Sequence, residues 1–342
     1  MAVKAKDIAE KLGVSTATVS LVLNGKPGIS DKTREKVLRQ IRELGYDYLI
    51  HEQANEIDAN KTIGFVIYKN NGELLGLNSF FPLILDGIEL TARQHGYNLV
   101  VINVDRKDID NQIGYIQDSK CAGYVIFATE MQENELNCFE SIGIPFVLFD
   151  NYFKSKLINS VKVNNEQGTF LATEYLNELG HKKIGYLSSG LNINSFIERK
   201  KFAFEAIREL GLEEPEKYSY TVGYPHEEAE AGMKEILKKT DIKELPTAFL
   251  ADNDLVAVGA MRAMKEMGYR IPDDFSLIGF DDRPICILVD PKLTTVELPR
   301  ERFGAEAVEQ LIRVIQSGSK FYAKVEINGE VIKRNSVGKP RE

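Results

Sequence analysis

Cysteine is scarce in this chain of 342 residues: Cys121, Cys138 and Cys286 are scattered, odd in number, and form no C-x-x-C pair. That composition excludes a disulfide framework and the common zinc spacings. No G-x-G-x-x-G and no G-x-x-x-x-G-K-[ST] occurs, which counts against dinucleotide and nucleoside-triphosphate binding. The four histidines, His51, His95, His181 and His226, join no nucleophile pattern and read as structural or exposed. No nucleophile elbow or metal-ligand spacing supports an α/β enzyme. The expectation is a protein without catalytic residues, cofactor or metal. Long apolar runs are also missing, so no segment is suited to cross a bilayer. The opening MAVKAKDIAE lacks the apolar stretch of a secretory signal, and a cytoplasmic protein with no membrane association is expected.

What is present is ordinary for a globular protein, with 43% hydrophobic and 27% charged residues. The length allows two or three cooperating units. The net charge of −8 conceals an asymmetry. Residues 1–50 hold nine Lys/Arg against six Asp/Glu, a net of +3, which leaves −11 for the remainder. A basic head on an acidic body fits a small nucleic-acid-contacting module joined to a larger domain with another task.

Within that head, KDIAEKLGVSTATVSLVLN (6–24) places Ile8, Ala9 and Leu12 at helical spacing. Gly13 can leave the helix at positive φ, and a second helical run buries Val19, Val22 and Leu23. Two short helices around a glycine turn predict a helix-turn-helix, whose second helix can enter a major groove. Its outward positions, Ser15, Thr16, Ala17, Thr18 and Ser20, are small enough for close backbone approach to DNA. On the residues alone, an ordinary helical pair in a larger core is as good a reading. A turn-rich loop from Asn24 to Gly28 follows. Ser30 then caps a third helix with Val37, Leu38, Ile41 and Leu44 on one face and Gly45 at its end.

DIAEKLGVSTATVSLVLNG…ISDKTREKVLRQIRELGY resembles the headpiece of LacI/GalR-family transcription regulators over residues 3–46. The resemblance implies base contacts from Thr16, Ala17 and Leu21. It implies phosphate contacts from Ser15, Ser20, Asn24, Ser30 and Thr33. Two departures stand out. Leu21 occupies a position where the family usually has arginine, so the guanine-reading fork is absent; apolar contact with a thymine methyl or weaker discrimination is expected there. The connector DYLIHEQANEIDANK lacks the proline and arginine of the family's hinge helix. Ile57 is displaced by one residue from the minor-groove wedge position, or Asn55 fills that position in an ungapped alignment. Glu52, Glu56 and Asp58 would lie near phosphates, which lowers affinity.

From Thr62 onward, apolar runs alternate with amphipathic stretches. The runs are TIGFVIY (62–68), NLVVINV (98–104), GYVIFA (123–128), PFVLFD (145–150), SVKV (160–163), KIGYLSS (183–189), SYTVGY (219–224), TAFLAD (247–252) and FSLIGFDD (275–282). Continuous apolar strands between helices predict parallel sheets covered on both faces, and roughly nine strand–helix units favour two doubly wound lobes over one sheet. Ligands of such folds sit beyond the carboxyl ends of the strands, where Asp150, Asp252, Asn253, Asp281 and Asp282 gather.

The family resemblance continues through FDN (149–151), GHKKIGYL (180–187), IERKKFAFEAI (197–207), ADNDLVAVGAM (251–261), IPDDFSLIGFDD (271–282) and RNSV (334–337). It implies a two-lobed, type I periplasmic-binding-protein-like body with three crossings and an effector in the cleft. By matching position, the effector contacts are Phe81, Asp150, Arg199, Asn253 and Asp281, with Asn78 and Phe80 as second choices. An aromatic face with Arg, Asn and Asp suits a sugar-like polyol. On the residues alone, Phe81 reads equally as a core aromatic, Asp281 and Asp282 as turn caps, and Arg199 as a surface ion pair. After Arg199 the family often has glycine and then an aromatic at the positions of Phe202 and Ala203, so the pocket's shape cannot be borrowed from relatives.

The expected organisation is a small all-α headpiece at 1–46, a hinge at 47–61 and an α/β effector-binding and dimerisation body at 62–342. The N-lobe would comprise about 62–159 and 293–323, the C-lobe about 160–292 and 324–342. The resemblance implies a repressor, a homodimer reading pseudo-palindromic operator DNA under control of a small effector. VGKPRE lacks the heptad tail of a tetramer. The alternatives are a catabolite-control regulator with a phosphoprotein corepressor, and a solute-binding sensor without DNA function.

Overall fold

The structure, a computed structural model, describes residues 5–23, 28–43, 61–70, 81–317 and 321–341. The chain divides into two compact units, Met1–Lys61 and Thr62–Glu342.

The first unit contains helices α1 (Ala5–Leu12), α2 (Thr16–Leu23) and α3 (Asp31–Glu43). Gly13 adopts φ +64°, and Val14 N–H returns to Ala9 O at 3.2 Å, closing the turn between α1 and α2. Ser15 Oγ accepts from Thr18 N and caps α2, and Ser30 Oγ accepts from Thr33 N and caps α3. The three helices share one small core of Ile8, Ala9, Val19, Val22, Leu23, Val37 and Ile41. Leu44, Gly45 and the connector through residue 60 lie outside the described residues.

The second unit is built on strands β1 (Thr62–Lys69), β2 (Asn98–Asp105), β3 (Gly123–Phe127), β4 (Phe146–Phe149), β5 (Ser160–Val163), β6 (Ile184–Ser188), β7 (Ser219–Thr221), β8 (Ala248–Ala251), β9 (Ser276–Asp281), β10 (Thr294–Glu297), β11 (Lys324–Ile327) and β12 (Glu330–Ile332). Between them run helices α4 (Phe81–Gln94), α5 (Ile109–Asp118), α6 (Leu136–Glu140), α7 (Asn165–Glu178), α8 (Asn194–Glu209), α9 (His226–Lys239), α10 (Asp254–Glu266), α11 (Ile285–Leu288) and α12 (Arg300–Ser317).

Among the described residues the strands form two six-stranded sheets, ordered β11-β5-β4-β3-β1-β2 and β12-β10-β9-β8-β6-β7. All pairings are parallel except β12 on β10, so helices must cover both faces. In β1, Ile63 and Phe65 face one core while Val66 and Tyr68 face another. The core containing Ile63 continues into the second lobe through Ile184, Ile278, Phe280 and Val296. Helices α4 and α12 meet closely at Gly87, where a Cβ would stand 2.0 Å from Glu301 O.

The lobe boundaries differ from the expected ones. Strands β5 and β11 belong to the first sheet and β10 to the second. The crossings therefore fall one strand later than about 159, 292 and 323, at residue 164, at 298–299 and at 328–329. Each outgoing strand pairs its backbone fully before the chain leaves the sheet. Three strands went unread in the sequence, because β10, β11 and β12 are only three or four residues long and carry charged or polar residues.

Candidate nucleic-acid interface and interlobe site

On the headpiece, Ser15, Thr16, Ala17 and Ser20 are exposed on α2 while Val19, Val22 and Leu23 face the core. Leu21 is half-buried, and a Cβ added to Gly28 would stand 3.5 Å from Leu21 Cδ1. Its carbonyl accepts from Arg34 Nη1 of α3 at 3.3 Å, which ties the end of the second helix to the third. Ser15 and Ser30 hydroxyls also meet Thr18 and Thr33 hydroxyls at 2.8 Å each. Asn24 lies outside the described residues. The surface of α2 is thus small, polar and closely approachable.

In the body, the carboxyl ends of β4 and β9 each terminate in an aspartate with left-handed backbone: Asp150 at φ +61°, Asp281 at φ +102° and its neighbour Asp282 at φ +48°. Non-glycine residues rarely adopt this conformation, and strain of this kind collects at ligand sites. Arg199, on α8, reaches into the same place and is fully engaged there. Its Nε donates to Asn165 Oδ1 at 3.0 Å, its Nη1 to Asp252 O at 2.7 Å, and its Nη2 pairs with Asp281 Oδ1 at 3.2 Å. The guanidinium also stacks 3.7 Å above the Phe280 ring. The surface-ion-pair reading of Arg199 therefore does not hold, since the side chain is buried.

Asp281 is held from its other side by Arg283 Nε at 3.2 Å. Asp150, from the opposite lobe, accepts from Thr129 Oγ1 at 2.5 Å. Burial raises its pKa to about 6, opposed by the Thr129 bond and the Arg199 charge and reinforced by Asp281. The N-lobe carboxylate thus feels the charges of the C-lobe arginine and aspartate. Asp254 sits deeper; burial and the Asp281 charge raise it to about 7, although it accepts from Arg283 N and Thr295 Oγ1.

Asn253 caps α10 through Oδ1, which accepts from Leu255 N at 3.1 Å and Val256 N at 3.2 Å. Its buried Nδ2 faces the buried Tyr224 Oη, which also faces the Arg283 side chain. Burial pushes the Tyr224 phenol up, and the Arg283 charge and the Asn253 amide oppose that shift. Sequence reasoning missed Tyr224 and Arg283: Tyr224 read as the end of a strand, whereas β7 stops at Thr221.

Phe81 is not brought into this cluster. Its ring packs on Phe127 at 4.8 Å and Phe65 at 6.2 Å, and it lines a separate cavity with Ile67, Lys69, Pro82, Leu85, Asp86 and Asn103. Asn78 and Phe80 lie outside the described residues. Asp282 is bound by Arg334 Nη2 at 2.7 Å rather than capping a turn, and Asp252 accepts from Tyr186 Oη and Ser189. His181 is buried between Thr247 Oγ1 and Gly338 O, and burial lowers its pKa, which keeps it neutral and structural. Among the described residues no helix is long and apolar enough to cross a membrane.

A helix-turn-helix headpiece ahead of a two-lobed body, with a polar cluster where the lobes meet, defines a ligand-responsive DNA-binding regulator. The chain belongs to the lacI family of bacterial regulatory proteins. Residues 4–47 match that family's description, and residues 173–337 match the periplasmic binding protein-like domain. The HTH-type transcriptional repressor PurR of Vibrio atlanticus (strain LGP32) is 30% identical over 336 residues, 97% of this chain and 98% of the relative. The ribose operon repressor of Haemophilus influenzae is 28% identical, covering 97% and 98%. Among solved structures, the Lac repressor dimer bound to operator and the anti-inducer ONPF is similar with TM-score 0.77 and 26% identity, covering 99% of this chain and 100% of that one. The transcriptional regulator CelR–cellobiose complex shares the fold at TM-score 0.72 and 24% identity, covering 98% and 100%.

Proposed function

We propose that this protein is a cytoplasmic repressor that binds a pseudo-palindromic operator as a homodimer and answers to a small polyol-like effector between its lobes. The carrying observation is the buried polar set at the carboxyl ends of the strands: the left-handed Asp150 of one lobe and Asp281 of the other, the Arg199–Asp281 ion pair, and Asn253 facing Tyr224. Carboxylates accept hydroxyl protons, while the amide and phenol offer a donor and a second polar contact to a ring oxygen or hydroxyl. Phe81, which borders a cavity on the first lobe, stays among the proposed effector contacts, and Tyr224 joins them. A ligand contacting both lobes favours one degree of closure, and differential affinity for that state is what couples the site to DNA. On the headpiece, Thr16, Ala17 and Leu21 face bases, and Ser15, Ser20, Asn24, Ser30 and Thr33 face phosphates. Gel retardation of the gene's own promoter region tests the DNA function, and no fragment bound better than random DNA at moderate salt refutes it. A thermal-shift screen of sugars, sugar phosphates and nucleosides tests the effector function.

Leu21→Arg tests the base contacts. A bidentate arginine discriminates guanine by about 1 to 3 kcal/mol, so selection of bound sequences is expected to gain a guanine at one position of each half-site. An unchanged selected motif removes Leu21 from the base-reading set.

Acidity offers a second readout. The native pKa of Asp150, about 6, lies above the value of an unfolded aspartate. The native state therefore takes up the proton more readily. That stabilising contribution is complete below the unfolded carboxylate range and is lost as pH rises through about 6. Asp150→Asn is expected to flatten the decline in urea midpoint between about pH 4 and pH 7, leaving the part due to Asp254. A decline identical to wild type shows that Asp150 titrates normally.

A further inference from the structure

A cavity of about 370 Å³ opens between the lobes beside the polar cluster, and none of the five sequence-derived effector residues lines it. The first lobe supplies Gln132, Glu133, Tyr152, Phe153 and Lys154; α8 supplies Asn194, Ile197, Glu198, Lys201 and Phe202. The α8 residues fall at helical spacing on one face, whereas Arg199 and Ala203 point inward and are buried. The two ligand environments thus use opposite faces of one helix.

The rim and floor are preformed by bonds across the lobes. Asn194 Nδ2 donates to Asn151 Oδ1 at 2.6 Å and to Tyr152 O at 3.3 Å, and Gln132 Nε2 donates to Asn192 O at 3.4 Å. Lys162 Nζ pairs with Glu198 Oε2 at 2.6 Å and lies 4.4 Å from the Tyr152 ring centroid. Glu198 is further engaged by Asn165 Nδ2 at 2.8 Å, and Glu133 accepts from Ser155 Oγ. Both lining carboxylates are therefore already bound by the protein. What faces a ligand is a pair of exposed cations, Lys154 and Lys201, and an apolar wall from Ile197 and Phe202; Lys201 Nζ also lies 3.5 Å from Glu205 Oε1, an exposed pair along one helix that contributes little and can open to a ligand. Ile197 is 50% exposed there. Lys201 Nζ lies 4.7 Å from the Phe202 ring centroid, so the charge and the aromatic face are adjacent. Phe202 is the aromatic that sits one residue earlier than in the family pattern, and it is half-buried at this cavity while Ala203 takes the interior position.

We propose that this cavity is a second ligand site, separate from the Asp150–Arg199–Asp281 cluster, and that it takes a small organic anion. A flat apolar body lies against Phe202 and Ile197, and a carboxylate or phosphate meets Lys201 and Lys154. Because both lobes form its walls, such a ligand stabilises the arrangement that the cross-lobe bonds already favour.

The test is isothermal titration calorimetry of the full chain with phenyl phosphate, with benzoate, and with phenol as the uncharged control. Saturable binding of at least one anion is expected, with phenol weaker by about tenfold or more. Phosphate-only binding assigns a phosphorylated ligand, and benzoate binding extends the class to carboxylates. The double variant Lys154→Ala/Lys201→Ala and the single variant Phe202→Ser should each weaken binding by about tenfold, with unchanged circular dichroism, since both lysines are exposed and Phe202 is only half-buried, outside the core. Tyr224→Phe, in the other cluster, should leave anion binding unaltered. No saturable heat with either anion, full binding by the lysine double variant, or loss of binding in Tyr224→Phe each overturns the proposal.

Discussion

Arg199→Met is expected to lower the stability of the body by about 3 to 5 kcal/mol, the usual effect of removing one partner from a buried ion pair. The substitution leaves Asp281 with Arg283 alone, and deprives Asn165 Oδ1 and the Asp252 carbonyl of their donors. It also leaves Asp281 near two other buried carboxylates, Asp150 and Asp254, whose pKa values its charge already raises. The remaining Arg283 contact places the expected loss toward the lower end of that range. For a domain of this size, a fall in melting temperature of about 6 to 12 °C follows. The effector-dependent thermal shift should vanish in the same variant, because the buried cation that orients Asp281 at the proposed site is gone. The companion Arg199→Met/Asp281→Leu should recover part of the stability without recovering the effector response, since the uncompensated charge is removed with its partner. A single variant that melts within about a degree of wild type and still answers to effector would remove Arg199 from the site.

Ile41→Ala should weaken operator binding by about tenfold or more while sparing effector binding. The headpiece core consists of seven side chains, Ile8, Ala9, Val19, Val22, Leu23, Val37 and Ile41, and Ile41 is wholly buried. Truncating such a side chain costs about 2 to 5 kcal/mol, which is comparable to everything a core this small can supply. The folded, DNA-competent fraction falls, and apparent operator affinity falls with it, by about tenfold or more. The body has its own cores, and the chain divides at Lys61, so the thermal shift caused by effector should be unchanged. Gel retardation and thermal melting on one preparation measure both. Parallel loss of both activities would show that the two units do not fold independently.

Much of this architecture was legible before any coordinates, for local reasons. Gly13 followed by Val14, with apolar residues at helical spacing on both sides, specifies the turn of the headpiece within a dozen residues. Apolar runs such as FVLF and AFLA, set between amphipathic stretches, fit buried strands, and the aspartates that follow them fall where ligands of doubly wound folds collect. The short strands β10, β11 and β12 were not legible. Their pairing comes from neighbours distant in sequence, as when Lys324–Ile327 completes the edge beside Ser160–Val163. The packing of Phe81 was not legible either: an aromatic at a helix start looks the same in sequence whether or not, as here, it rests on two other phenylalanines and borders a cavity.

Local pattern settled the helices and the longer strands, which unit meets DNA, and that carboxylates stand at the mouth of the sheets, because each depends on spacing along the chain. Long-range packing settled the rest. Asp150, Arg199 and Asp281 are far apart in sequence, and only the docking of two lobes makes one carboxylate feel the other two groups. The same docking turns the outer face of α8 into a second cavity, while the folding of the second lobe brings Tyr224 against Asn253. Burial and desolvation, which give these groups their altered acidity, are properties of assembled neighbours and not of any residue or its sequence context.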